Sequence, residues 1–418
     1  MPGTARWTPP GTHEARTGND QRLEIDLSGA PLRRAGLKAE VPSLRGARVI
    51  VVFETLELGG AERQGLLLSR HLQREAGARV EIRGLQHPGA LTQLCDALGI
   101  PWRVERCPWP AGRMGKLRSL IRLAWALRRA RPEIILPYTM RPNVLCGLLW
   151  RLAGARLCVW NQRDAGLQRM GSRLERRAVA RVPLLVANSL PARDFLVSEL
   201  GVAADRVRLV SNGVELAPAL ESRAGWRRRL GLGERDFAAC MVANLHPFKD
   251  HATLLRAWRS VVEAEAVLGR RAVLLLAGKP FQPVAPLEAL ATDLGVAGHV
   301  RFLGQVIDVA GLLAACDVAV LSSPREGMPN AVLEAMASGR AVAGTDNPGI
   351  RDVVGPAGLP FLAPPGDAPA LAERILWLAR DPSLRARIGE THRRRVTAEF
   401  PPERMCREMV ALLEDGLR

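Results

Sequence analysis

Aromatic side chains make up only 4% of this 418-residue chain, and tyrosine occurs once, as Tyr138. Core formation therefore falls to Leu, Val and Ala, and an apolar content of 47% is ample for it. The same scarcity removes the stacking platform on which single-stranded nucleic acid is usually held. Seven cysteines (Cys95, Cys107, Cys146, Cys158, Cys240, Cys316 and Cys406) include no CxxC pair. Their odd number and apolar contexts predict buried free thiols in a reducing compartment. No His/Cys cluster has metal-ligand spacing. The longest apolar runs, such as AVLLLAG at 272–278, are far too short to span a bilayer, and VLCGLLWRLAG is broken by Arg151. The first residues lack the unbroken apolar core of a secretion signal.

Negative charge is scarce in one region only. Residues 47–216 hold 27 Lys/Arg against 14 Asp/Glu, whereas residues 217–418 hold 25 against 23 and residues 1–46 hold 7 against 5. So uneven a field points to an anionic partner for that half, nucleic acid or an acidic membrane surface. No nucleic-acid-binding module is recognisable, which leaves the membrane as the expected partner and nucleic acid as an expected absence. Within GRMGKLRSLIRLAWALRRARPE (112–133), seven Lys/Arg precede the first acid. Leu117, Leu120, Ile121, Ala124, Trp125 and Leu127 form an apolar side, as in a basic helix lying on anionic lipid. An ordinary core helix with a solvated basic face has the same pattern. A second basic run, RMGSRLERRAVAR, follows at 169–181.

The length suits two domains. Residues 1–46, rich in Pro, Gly, Thr and Arg and without period, read as a disordered leader. Two halves follow, 47–215 and 216–400, and each alternates apolar strands with helical patterns. That alternation predicts an α/β chain of two doubly wound, Rossmann-like domains facing a central cleft. Strands are expected at 49–53, 79–84, 133–137, 156–160 and 183–188, then at 237–245, 272–278, 299–304, 319–323 and 340–346. An amphipathic helix, 401–418, is expected to pack back toward the first domain. In open parallel sheets ligands bind beyond the carboxyl ends of the strands, so the loops there carry the chemistry.

Three such loops stand out. In Leu58-Gly59-Gly60-Ala61-Glu62-Arg63 the paired glycines let backbone N–H groups approach a ligand at a helix start, where diphosphate is the natural guest. A plain glycine turn reads the same way. In Asn244-Leu245-His246-Pro247-Phe248-Lys249-Asp250-His251, Lys249 can set a point charge on phosphate oxygens. His246 and His251 are either general bases or loop and cap residues. The third stretch, SSPREGMPNAVLEAM (322–336), places Glu326 in a turn and Glu334 in the helix that follows. Pro329 fits a helix start. A carboxylate surrounded by Val332, Leu333, Ala335 and Met336 needs a hydrogen-bonding reason to be there, and a sugar diol supplies one.

The E-x7-E of EGMPNAVLEAMASG resembles the signature of the retaining glycosyltransferases of family 4, with the GT-B fold. LGGAER, VVANSLPARDFL, RLVSNGVE, ANLHPFKDHATLLRAW and VRFLGQVIDVAGLLAACDVAVLSS resemble its other segments in order, from about residue 47 to the end. The resemblance implies that Gly59 and Gly60 flank the donor sugar and diphosphate. It implies that Lys249 contacts the diphosphate, and that Glu326, with the backbone of Gly327 and Met328, holds the donor sugar, both as catalytic residues. Pro329 and Asn330 belong to the same donor site, Glu334 would bind the ribose, and Gly304 and Val306 would lie near the base. Asn244 stands where many members carry Arg, and Tyr138 where many carry His. Tyr138 and Arg163 are the acceptor-side candidates.

The implied activity is metal-independent transfer, without a cofactor, from a nucleotide sugar to a glycan or lipid-linked acceptor. Front-face attack would preserve the anomeric configuration. The implied setting is bacterial cell-surface polysaccharide or glycolipid assembly at the cytoplasmic face of the plasma membrane. A sugar-nucleotide epimerase and an inactive scaffold paralogue are the alternatives on the same fold.

Overall fold

The computed structural model describes residues 44–110, 112–281 and 283–418. The expected leader therefore falls outside the described residues up to residue 43, while Leu44 is already buried in a core.

Runs such as RVIVVF and AVLLLA are apolar at nearly every position, with no alternation. That is the pattern of parallel strands covered on both faces. They form the centres of two sheets. The first contains β1 (Arg48–Phe53), β2 (Arg79–Gly84), β3 (Trp102–Val104), β4 (Ile134–Pro137), β5 (Leu157–Gln162), β6 (Leu184–Ala187) and β7 (Val207–Leu209) in the order β3-β2-β1-β4-β5-β6-β7. The second contains β8 (Phe237–Val242), β9 (Ala272–Ala277), β10 (Val300–Gly304), β11 (Val318–Leu321), β12 (Ala341–Thr345) and β13 (Leu362–Ala363) in the order β10-β9-β8-β11-β12-β13. All described pairings between these strands are parallel. Val49 of β1 is in register with Val80 on one side and Ile134 on the other.

Strand order reverses between β1 and β4, and again between β8 and β11. At such switch points the connections diverge to opposite faces and open a crevice at the carboxyl ends. The edge strands β3, β7 and β13 are absent from the sequence expectation. They are two or three residues long, too short to show a period.

Apolar clusters cover both faces of the first sheet, and a large one fills the second half. The helix Pro402–Leu417 sends Met405, Cys406, Met409 and Leu413 into the core of the first half. The chain thus crosses between halves twice, and the crossings touch. Val214 N–H donates to Phe400 O at 3.0 Å, and a Cβ on Gly213 would fall 2.5 Å from Pro402 Cα. Glycine is required there by close approach rather than by backbone angle.

The seven cysteines are buried and free. No helix among the described residues is long and apolar enough to cross a membrane. The basic helix, Arg113–Ala130, has two apolar stripes rather than the single side that the sequence pattern predicts. Leu123 and Leu127 are buried in the sheet-facing core. Met114, Leu117, Ile121 and Trp125 are 65%, 49%, 59% and 61% exposed. Their spacing of three and four residues keeps them on one outward face.

Candidate functional site

The loops after β1 and β5 meet the loops after β9 and β11 at a seam between the two halves. Helix Asn330–Ala337 starts on this seam, capped by Pro329. Asn330 is its first residue and reaches across. Its Nδ2 donates to Gly60 O at 2.9 Å, and its Oδ1 accepts from Asn212 Nδ2 at 2.7 Å and Gln64 Nε2 at 3.3 Å. Gln64 exchanges two further bonds with the backbone of Gly213, at 2.7 and 3.1 Å. Asn212 in turn donates to Met328 O and accepts from Asn188. Asn188, Asn212 and Gln64 are buried, so each amide satisfies the next instead of water.

Gly327 sits in the tightest part. A Cβ on it would come within 2.8 Å of Arg163 O and 3.1 Å of Asp164 Cα. Arg325 Nη2 donates to Ala165 O at 2.7 Å, extending the same contact.

Several charged groups at the seam are paired. Lys249 ends a short turn after β8, and its Nζ lies 2.5 Å from Glu326 Oε1. Ser322 Oγ fixes that turn against the end of β11 by donating to Lys249 O and Asp250 O, both at 3.0 Å. Glu334 is buried and meets Arg63 Nη1 of the first half at 3.3 Å. Burial pushes the Glu334 carboxyl up, and the Arg63 guanidinium pulls it partly back. Glu57 meets Lys279 at 2.9 Å across the seam, and Glu54 meets Arg141 at 2.5 Å within the first half.

Asn244 is exposed, and its side-chain oxygen accepts from Lys279 N at 3.1 Å. Gly278 N–H donates to Gly304 O at 2.8 Å, so the ends of β8, β9 and β10 are drawn together beside this corner. Val306 is half-buried just beyond. Lys279 is a cation that the sequence expectation missed. The available signal was its place directly after a strand-ending glycine.

Gly59 and Gly60 open helix Gly60–Arg74, but its positive end is already filled. The Glu62 carboxylate lies over this end, where a Cβ on Gly59 would come within 2.6 Å of its Oε2. Burial pushes this acid up to about 7. The place that the glycine pair suggested for a diphosphate is therefore held by a carboxylate.

The other candidates fall as follows. Tyr138 is 2% exposed, packed against Phe53 at 5.2 Å between ring centroids, with the Arg163 guanidinium over its ring. Burial pushes its phenol up to about 12. Its ring is packed in the core and gives Arg163 a face. Arg163 is partly buried, and burial pulls its pKa down. His246 accepts from Phe248 N–H and stacks on that ring, while His251 is buried and pulled down to about 4 by burial and Lys249. Both are loop or helix-start residues. Among the described residues no group of His, Cys, Asp and Glu is placed to hold a metal ion.

A family model for glycosyl transferases group 1 matches residues 236–381, and one for glycosyltransferase family 4 matches residues 58–217. A D-inositol 3-phosphate glycosyltransferase from Streptomyces avermitilis is 30% identical over 396 residues, 90% of this chain and 79% of that one. The Escherichia coli UDP-Gal:alpha-D-GlcNAc-diphosphoundecaprenol alpha-1,3-galactosyltransferase is 26% identical over 234 residues, 53% of this chain and 60% of that one. For other curated relatives the chain spans about half of their length. The structure of Anabaena Alr3699/HepE in complex with UDP and glucose superposes with a TM-score of 0.76 at 20% identity, covering 88% of this chain and 100% of that one. At that identity the likeness establishes the GT-B fold.

The Glu62 environment has a measurable consequence. Because its folded pKa lies above the ordinary carboxyl value of 4.5, its contribution to stability is complete below that value and is lost as pH rises through about 7. Glu62→Gln removes the titration. In thermal unfolding, wild type and variant are expected to match near pH 4.5 and to separate toward pH 8, with the variant the more stable. A constant offset at every pH contradicts the assignment.

Proposed function

The chain belongs to the group 1, family 4 glycosyltransferases, and on that footing we propose that it moves a sugar from a nucleotide-sugar donor to a glycan or lipid-linked acceptor, with retention at the anomeric carbon. The observation that carries this reading is the Lys249–Glu326 pair, with Glu334 eight residues further along the same turn and helix. Each partner stands in for part of a ligand. A donor diphosphate takes the place of the carboxylate on Lys249, and the freed Glu326 accepts from hydroxyls of the transferred sugar. Glu334 exchanges Arg63 for the ribose diol.

In the transfer step the bond from C1 to the diphosphate oxygen breaks and the bond from C1 to the acceptor oxygen forms on the same face. The acceptor's hydroxyl proton passes to a departing diphosphate oxygen. The protein supplies position and positive charge, which suits a seam with no nucleophile–base pair. The donor is the only small molecule required, and Lys249 serves the phosphate in place of a metal.

One relative supports the lipid-linked acceptor by its name, which is that of an enzyme acting on a diphosphoundecaprenol-linked sugar. Cell-surface polysaccharide or glycolipid assembly is the matching role. The outward stripe of Met114, Leu117, Ile121 and Trp125 supports peripheral attachment at the inner face of the plasma membrane. Residues 106–132 around it carry eight Lys/Arg and no acid. Apolar insertion and attraction to anionic headgroups act together in such helices.

UDP-, GDP- and ADP-sugars tested for thermal stabilisation should yield at least one stabilising donor, and Glu334→Ala should weaken its binding by about tenfold or more. No stabilisation by any of them contradicts the reading, and turnover of a nucleotide sugar without an acceptor marks an epimerase instead. In co-sedimentation, recovery on phosphatidylglycerol-containing vesicles should exceed recovery on neutral ones and fall for Ile121→Glu with Trp125→Glu. Equal recovery on both vesicle types excludes electrostatic docking.

A further inference from the structure

Glu326, Glu334 and Glu57 each face a cation of their own at the seam, and Arg163 is matched to none of them. Among the described residues its side chain makes no ion pair, and its Nη2 is buried without a hydrogen-bond partner. Its neighbour Asp164 is committed elsewhere, accepting from Gly166 N at 2.7 Å, Leu167 N at 3.1 Å and Gln162 Nε2 at 3.2 Å. What Arg163 does have is the Tyr138 ring, 5.4 Å from its guanidinium carbon. A ring face attracts a cation but accepts no hydrogen bond from its fork of donors. The backbone beneath is fixed at the seam, since Arg163 O accepts from Asn188 at 3.3 Å and lies against Gly327. Taking a guanidinium out of water without a counter-ion is costly, and such a group survives where a ligand completes it.

We propose that Arg163 is an anion subsite on the first-half wall of the seam, completed by a phosphate group of a substrate. Arginine's planar fork matches phosphate oxygens two at a time, and the Tyr138 ring holds the plane of the fork in place. Two sources carry that chemistry, the diphosphate of the donor and a phosphate on the acceptor. Naming those two sources rests on the glycosyltransferase reading; the anion subsite does not.

Calorimetric titration of wild type, Arg163→Gln and Arg163→Lys with UDP, and of each UDP-saturated protein with inorganic phosphate, separates the cases. UDP binding weakened about tenfold or more in Arg163→Gln and partly restored in Arg163→Lys, which keeps the charge but not the fork, assigns the subsite to the donor diphosphate. Unchanged UDP binding, with phosphate uptake by wild type and Arg163→Lys but not by Arg163→Gln, assigns it to an acceptor phosphate. Arg163-dependent uptake of phosphate by a protein that does not bind UDP preserves the subsite and removes the donor reading. Binding of neither probe that depends on Arg163 overturns the proposal. The variant is testable as a folded protein, because removing an unmatched cation should leave the melting temperature at or above that of wild type.

Discussion

The arrangement of the two halves depends on one side chain, Asn330. It donates to Gly60 O and accepts from both Asn212 and Gln64, so two segments of the first half, the start of helix Gly60–Arg74 and the stretch at Asn212, are fixed to the start of one helix of the second. Buried amides must find partners, and here the partners come from a helix start and from a loop distant from it in sequence. Moving either of these segments leaves a polar group unsatisfied elsewhere. The small residues around the network follow from the same constraint. Gly60, Gly213 and Gly327 each stand where a Cβ would strike Asn330, Pro402 or the Arg163–Asp164 backbone.

Once the halves are fixed in this way, the charges at the seam fall into pairs, Lys249 with Glu326, Arg63 with Glu334 and Lys279 with Glu57. On the proposed function, a donor diphosphate entering here would exchange with this pattern rather than add to it, competing with Glu326 for Lys249. Glu62 at the start of helix Gly60–Arg74 adds a fourth carboxylate, pushed by burial toward its neutral form. Neutralising that acid lowers the repulsion an anion meets at the glycine loop.

The strands at the centre of each sheet were legible because burial on both faces writes them as unbroken apolar runs, and β2 falls at 79–84 as expected. The short edge strands carried no such signal. The Glu326 to Glu334 spacing was also legible, since a turn and the helix after it are local. The amide network was not. Asn330 and Gly60 are 270 positions apart, and Gln64 and Gly213 are 149 apart, so nothing in either neighbourhood announces the other. Nor did the residues around Tyr138 announce that its ring packs on Phe53 and lies under Arg163. Arg113–Ala130 shows a third limit. Its pattern revealed that apolar residues were in excess, but not that they divide between a buried stripe and an exposed one.

The central claim is that Lys249 and Glu326 are partners only until a donor arrives. A crystal structure with UDP-glucose tests it directly. The account predicts a diphosphate oxygen on Lys249 Nζ, with Glu326 turned to a hydroxyl of the sugar. A bound nucleotide sugar that leaves the Lys249–Glu326 contact intact at 2.5 Å contradicts it.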